Sequence, residues 1–197
     1  MYWTSNTTGW LIPLPLPSAR QFFVYESTSG GEQWEPVTWA FPQGRSPFQV
    51  LSVGTLVPYG PHQALILLQW GDRRSGWQVA SWSQGRIIQW SRVWPDTNIV
   101  VATNTAERRL WLAEASTLWS VTASPQGTLA VAKVTTHLPC GSDLVGLQLS
   151  SRLGWALTIG PTNHPVLWTT EDGGRAWHRV GATILMAESE RGHRQGV

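Results

Sequence analysis

Short runs of alternating apolar and polar residues, separated by turns rich in glycine or proline, recur along the whole chain. Residues 166–170 alternate, Asp172-Gly173-Gly174 interrupts the extended run, and it resumes at Trp177. Alternation with a period of two is typical of β-strands, and glycine tolerates the positive φ of a tight turn. Residues 64–68 are instead continuously apolar, as expected of a strand buried on both faces. The pattern predicts an all-β chain of hairpins.

The hairpins group into repeats of about 45 residues, a period that suits propeller blades of four strands each. We expect one repeat domain over residues 1–181, followed by an extra strand at 183–186 and a polar tail within 182–197. The best helical candidate, residues 106–115, is explained equally well by a strand. The predicted blades cover approximately residues 1–40, 49–94, 97–136 and 143–181.

One turn carries four residues that work together, namely Thr170, Asp172, Gly174 and Trp177. An aspartate in a turn can accept hydrogen bonds from backbone N–H groups further along it, and the indole can fold back over the turn. The same spacing recurs as Ser27, Gly31 and Trp34, with Ser29 in the place of the acid. We therefore expect the first copy to be held less firmly. Residues 83–90 look like a third, decayed copy.

The spacing Ser/Thr-x-Asp-x-Gly-x-x-Trp resembles the Asp-box, or BNR repeat, of sialidases, sortilin-type domains and the propellers related to photosystem II assembly and stability factors. A Gly-Trp pair upstream of each copy, Gly9-Trp10 and Gly154-Trp155, makes the resemblance greatest to the photosystem group. The resemblance implies a β-propeller of about four four-stranded blades, with the box as a structural turn away from the axial binding face. We prefer an open arc to a closed ring, and part of a larger ring is a further alternative.

Composition narrows the class of protein. Charged residues are 13% and hydrophobic residues 42% of the chain, with 14 tryptophans, which does not suit disorder. The net charge of +2 comes from scattered arginines, so we expect no nucleic acid partner. No run approaches the roughly 20 apolar residues of a membrane helix, and the N-terminus lacks a signal peptide pattern. Cys140 is the only cysteine, which excludes an intramolecular disulfide and leaves the compartment open.

Candidate chemistry gives little support for an enzyme. A glycosidase needs two carboxyl groups held across a sugar, and no pair of acids has a spacing that indicates this. Asp172 is better interpreted as the clasp of its turn. The histidines lack the spacing of a metal site, and no phosphate-binding loop is present, so we expect no metal and no cofactor. The sequence favours a non-catalytic binding or assembly scaffold for a protein partner. A sialidase-like glycoside hydrolase and a carbohydrate-binding module are the alternatives.

Loops from several blades converge at propeller binding sites. We expect these loops at the end opposite the box turn, and they include residues 60–62, 106–109, 160–164 and 13–20. Arg108 and Arg109 are the candidate partner contacts, because arginine is enriched at interface anchors; the alternative is that they are solvated turn residues. An open arc would also expose flat blade faces, which self-association could cover.

Overall fold

A computed structural model describes residues 1–3, 6–11, 24–37, 50–60, 62–71, 76–84, 86–95, 98–135, 137–139, 143–160 and 163–181. These ranges contain sixteen strands and no helix. Sheet 1 consists of β1 (Tyr2–Trp3), β2 (Gly9–Leu11), β3 (Val24–Ser27) and β4 (Glu35–Val37). Sheet 2 consists of β5 (Val50–Gly60), β6 (Gln63–Trp70), β7 (Gly76–Ser83) and β8 (Arg86–Trp94).

The second half of the chain repeats this plan. Sheet 3 consists of β9 (Ile99–Asn104), β10 (Arg109–Glu114), β11 (Thr117–Ala123) and β12 (Leu129–Thr135). Sheet 4 consists of β13 (Asp143–Leu149), β14 (Gly154–Ile159), β15 (Pro165–Thr170) and β16 (His178–Arg179). In every sheet the four strands are antiparallel and lie in chain order. The predicted all-β fold of four four-stranded units is confirmed, and the predicted domain limits stay a prediction.

Apolar side chains form a core between each pair of consecutive sheets. The core between sheets 1 and 2 contains Trp10, Val24, Leu56, Ile66, Trp70 and Trp82. The core between sheets 2 and 3 contains Val57, Leu67, Val79, Trp94, Leu110 and Val121. The core between sheets 3 and 4 contains Trp111, Leu118, Leu138, Leu147, Leu149 and Ala156. The four sheets are therefore stacked in series through three apolar layers.

Strand β6 explains the continuous apolar run in the sequence. Ala64, Ile66 and Leu68 belong to the core with sheet 1, while Leu65 and Leu67 belong to the core with sheet 3. All five side chains are fully buried. A strand whose two faces both contact a core needs apolar residues at every position. Sheets 1 and 4 each contribute described residues to one core only.

Strand β5 continues to Gly60 and contains Pro58 beside a register shift. One local prediction is wrong. Residues 83–90 do not repeat the box turn, since Ser83 of β7 pairs directly with Arg86 of β8 and Trp90 lies within β8. The loop 13–20, Cys140, the predicted strand 183–186 and the tail 182–197 lie outside the described residues.

Candidate functional site

The turn between β15 and β16 is closed by Thr170 and Asp172. Thr170 Oγ1 accepts a hydrogen bond from the Gly174 N–H at 3.0 Å and donates to Asp172 Oδ1 at 2.8 Å. Asp172 accepts the N–H groups of Arg175 and Ala176, both at 2.9 Å. Trp177 Nε1 donates to the Gly174 carbonyl at 3.0 Å, which brings the indole back over the turn. Two side chains thus satisfy three backbone donors.

These hydrogen bonds also act on the acidity of Asp172. The Ala176 N–H and then the Thr170 hydroxyl, by donating to the carboxylate, lower the pKa of Asp172 below the usual value for aspartate. Donors to the charged form favour that form. The carboxylate is therefore a structural acceptor that stays ionised at neutral pH.

The turn between β3 and β4 has the same backbone with a weaker acceptor. Gly30 and Gly31 have φ of 71° and 93°, and Gly173 and Gly174 have 74° and 91°. Ser27 Oγ accepts the Gly31 N–H at 2.9 Å, as Thr170 does for Gly174. Ser29 Oγ accepts the Gln33 N–H at 2.9 Å, in the position where Asp172 accepts that of Ala176. One hydroxyl oxygen takes the place of two carboxylate oxygens.

Each of these turns is tied to the neighbouring hairpin of its own sheet. The Gly173 N–H donates to the Arg152 carbonyl at 2.7 Å, and the Gly30 N–H donates to the Thr7 carbonyl at 2.8 Å. Positive φ and this close approach both require glycine, because a Cβ on Gly173 would lie 2.5 Å from the Ser151 carbonyl oxygen.

The predicted contacts Arg108 and Arg109 lie in different environments. Arg108 is exposed at the end of the turn 105–108. The Arg108 N–H donates to the Thr105 carbonyl, and Arg108 has a φ of 54°. Arg109 is half-buried, with its guanidinium 5.0 Å from the Trp111 ring and its Nε 3.9 Å from Glu107 Oε2. Arg108 is therefore the more exposed of the two.

The turn that carries Arg108 lies at the same end of the sheets as the turn 170–177. When antiparallel strands follow one another in chain order, the turn between strands 1 and 2 lies at the same end of the sheet as the turn between strands 3 and 4. The Arg108 turn is of the first kind in sheet 3, and the turn 170–177 is of the second kind in sheet 4. Glu107 Oε1 accepts the Ser151 N–H at 2.7 Å, which joins the Arg108 turn to the hairpin 150–153 that contacts Gly173. The prediction that loops 60–62 and 106–109 lie opposite the box turn is therefore wrong. Gly160 and His164, from the predicted loop 160–164, lie between the second and third strands of sheet 4 and therefore at the other end, as predicted.

Half-buried carboxylates hold neighbouring elements together. Glu26 Oε2 lies 2.8 Å from His62 Nδ1 and links sheet 1 to sheet 2. Glu107 links sheet 3 to sheet 4, as described above. Glu114 lies 3.7 Å from Arg92 and is part of the contact between sheets 2 and 3. Each of these acids has an internal partner.

Sequence reasoning missed a stack of cations and indoles between sheets 2 and 3. The Arg92 guanidinium lies 4.4 Å from the Trp119 ring and 5.7 Å from the Trp94 ring. Lys133 Nζ lies 5.6 Å from the same Trp119 ring. Arg92 and Trp94 are two residues apart on one strand, so the sequence alone indicates that they share a face. Nothing in the sequence indicates that Trp119 of β11 packs against them. Cation–π contacts of this kind stabilise the packing of sheet 2 against sheet 3.

The described residues contain neither a membrane-spanning helix nor a cluster of metal ligands. No helix there is long and apolar enough to cross a membrane. Within the same ranges, no cluster of three or more histidine, cysteine, aspartate or glutamate side chains could hold a metal ion.

Comparison with known proteins shows the fold only. No protein-family model matches the sequence, and no curated protein matches it. A structure of YCF48 from Cyanidioschyzon merolae is similar, with a TM-score of 0.51 and 16% identity over 82% of this chain and 51% of that one. A structure of YCF48 bound to D1 peptide has a TM-score of 0.48 and 11% identity over 90% of this chain and 50% of that one. The chain thus spans about half the length of each.

Proposed function

We propose that the chain is a non-catalytic β-propeller scaffold that binds a protein partner. The proposed contact surface is the end of sheets 3 and 4 where the turn 105–108 meets the hairpin 150–153. It is the end that carries the turn 170–177, and not the opposite end that the sequence predicted. The observation that carries this proposal is the hydrogen bond between Glu107 Oε1 and the Ser151 N–H, because it fixes two turns from different repeats side by side. A surface built from several repeats is where propellers generally bind.

The exposed side chains on the two turns that the Glu107–Ser151 hydrogen bond joins are suited to binding a protein. Arg108 and Arg152 are exposed on adjacent turns, and Leu153 beside them is 63% exposed. Arginine is enriched among interface anchors, and an exposed apolar side chain next to an exposed arginine fits a partner that presents an apolar residue and an acid. Arg109 supports the surface from below, since it stacks on Trp111 and pairs with Glu107.

The engagement of the carboxylates supports a non-catalytic role. A general acid or base must reach the proton that it transfers. Glu26, Glu107 and Asp172 instead hold a neighbouring turn or sheet. These contacts favour the scaffold over the sialidase-like hydrolase, and a turnover screen on fluorogenic glycosides separates the two directly.

We also propose that residues 170–177 and 27–34 are Asp-box turns. The matching φ values of their glycines and the matching hydroxyl contacts to Gly174 and Gly31 support this. In this interpretation Thr170, Asp172, Gly174 and Trp177 form a complete box. Ser27, Gly31 and Trp34 form one that lacks the acid.

The binding proposal is tested with a paired charge reversal. The double variant Arg108→Glu, Arg152→Glu and the control Arg179→Glu, an exposed arginine on β16, are immobilised and incubated with an extract of the cell that makes the protein. We expect the wild type and the control to retain the same protein, and the double variant to lose it with an unchanged melting temperature. Equal retention by all three, or turnover of a glycoside, would overturn the proposal.

A further inference from the structure

Trp10 and Trp155 occupy the same place in two copies of the repeat. Each follows a glycine that pairs with the first residue of the turn, Gly9 with Ser27 and Gly154 with Thr170. Trp10 is 1% exposed, whereas Trp155 is 43% exposed. Position in the repeat therefore does not decide whether this indole is buried.

The neighbouring sheet makes the difference. Trp10 packs edge-to-face on Trp82 of sheet 2, with ring centroids 4.8 Å apart. Trp155 lies on the outer face of sheet 4, on the side opposite the core residues Ala156 and Trp168. We call this the Trp155 face, and it also carries the half-buried Leu157 and Leu167, which pair with each other. It is the kind of face that, in sheet 1, receives the next sheet.

Sheet 1 exposes the complementary kind of face. Trp3 pairs with Gly9, as Leu149 pairs with Gly154 in sheet 4. Leu149 is buried against sheet 3, where Leu118 closes over Gly174. Trp3 covers Gly9 and Gly31 and stacks edge-on with Trp34 at 5.9 Å, yet it remains 44% exposed. We call this the Trp3 face, defined by Trp3, Gly9, Gly31 and Trp34.

We propose that the Trp3 face of one copy of this chain packs on the Trp155 face of a second copy. The contact continues the packing already present between sheets 1 and 2 and between sheets 3 and 4. In each of those two interfaces, the face of the earlier sheet that corresponds to the Trp155 face packs on the face of the later sheet that corresponds to the Trp3 face. The partner is therefore a second copy of this chain, because it carries the missing complement of each exposed face.

Two such contacts close a dimer. A two-fold axis gives each copy one contact through sheet 1 and one through sheet 4, and eight sheets lie within the usual range of propeller blades. A contact between two Trp155 faces would leave both Trp3 faces exposed and would resemble none of the internal joints.

Sedimentation velocity with charge variants tests the proposal. The variants are Trp155→Glu, Trp3→Lys and the control Val131→Glu, which alters an exposed residue of β12 outside both faces. We expect the wild type and the control to sediment as dimers and each tryptophan variant to sediment at half that mass. Mixing the two tryptophan variants should restore the dimer, because one contact then pairs glutamate with lysine and the other is unaltered.

Several outcomes would contradict the head-to-tail contact. A monomeric wild type at every concentration overturns it, as does a dimer that both tryptophan variants leave intact. Dissociation by Trp155→Glu alone would indicate a contact between two Trp155 faces instead. Circular dichroism spectra of all variants, compared with the wild type, ensure that a loss of mass does not reflect unfolding.

Discussion

Sheets 1 and 4 are two copies of one structural plan, and they differ in two respects. Their turns agree in φ to within a few degrees at both glycines, and a hydroxyl accepts the same backbone N–H in each. The acceptor two residues later is Ser29 in sheet 1 and Asp172 in sheet 4. Their Gly-Trp pairs also differ, because Trp10 packs on Trp82 of the following sheet, whereas Trp155 has no sheet against it within the described residues.

The comparison separates what forms the turn from what strengthens it. Two glycines and two hydroxyl acceptors, Ser27 and Ser29, are sufficient for the backbone conformation, since the turn in sheet 1 adopts it with these alone. The carboxylate of Asp172 adds an acceptor for the Arg175 N–H and a second oxygen for the Ala176 N–H. For the tryptophans, the neighbouring sheet rather than the repeat decides the burial.

The largest effect is expected from removing the buried indole. Trp10→Ala leaves a cavity between sheets 1 and 2, and we expect it to reduce the free energy of unfolding by about 3–5 kcal/mol. Trp155→Ala, at the equivalent position, should reduce it by under about 1 kcal/mol in the monomer. Denaturant titration of both variants at low protein concentration measures the difference. Similar losses would show that the two positions are not in different environments.

The next largest effect concerns the turn glycine. Gly174 has a φ of 91°, and a Cβ on it would lie 2.7 Å from Leu118 Cδ2. Gly174→Ala should therefore cost about 1–3 kcal/mol of stability, through backbone strain and the displaced leucine. Gly181→Ala is the matched control, because a Cβ there has no neighbour within 4 Å. Thermal unfolding that is equal in both variants would contradict the geometry of the turn.

A smaller effect follows from the lowered pKa of Asp172. The contribution of such a group is fully present above its unfolded pKa, about 4, and is lost as the pH falls through the lower folded value. Asp172→Asn should thus be less stable than the wild type at neutral pH, and the two should converge as the pH decreases. Ser29→Ala should keep the acid dependence of the wild type. Melting temperatures measured across the acidic range check this, and a constant difference between Asp172→Asn and the wild type would contradict it.

The smallest effect is expected from converting the weaker turn into the stronger one. Ser29→Asp supplies a carboxylate where the Gln33 N–H already donates, and it should add about 0.5–1 kcal/mol of stability. The reverse change, Asp172→Ser, gives the matched loss in sheet 4. A Ser29→Asp variant that is no more stable than the wild type would show that another feature distinguishes the turns.

The sequence predicted the sheets well because alternation, turn residues and the repeat period are local signals. The apolar run 64–68 predicted a doubly buried strand, and β6 is one. The end of the sheets at which Arg108 lies was predicted wrongly, because it depends on counting strands rather than on the residues of the loop. The Glu107–Ser151 and Arg92–Trp119 contacts join residues far apart in the chain, and a single sequence contains no signal for them.

The central claim is that Trp10 and Trp155 are the same repeat position with different neighbours, and fluorine NMR tests it most directly. The protein is labelled with 5-fluorotryptophan, and the two signals are assigned with Trp10→Phe and Trp155→Phe. Each signal is then measured with a soluble paramagnetic probe at low and at high protein concentration. We predict that Trp10 is protected throughout, and that Trp155 is broadened at low concentration and protected when the dimer forms. Equal broadening of the two signals at low concentration would contradict the account.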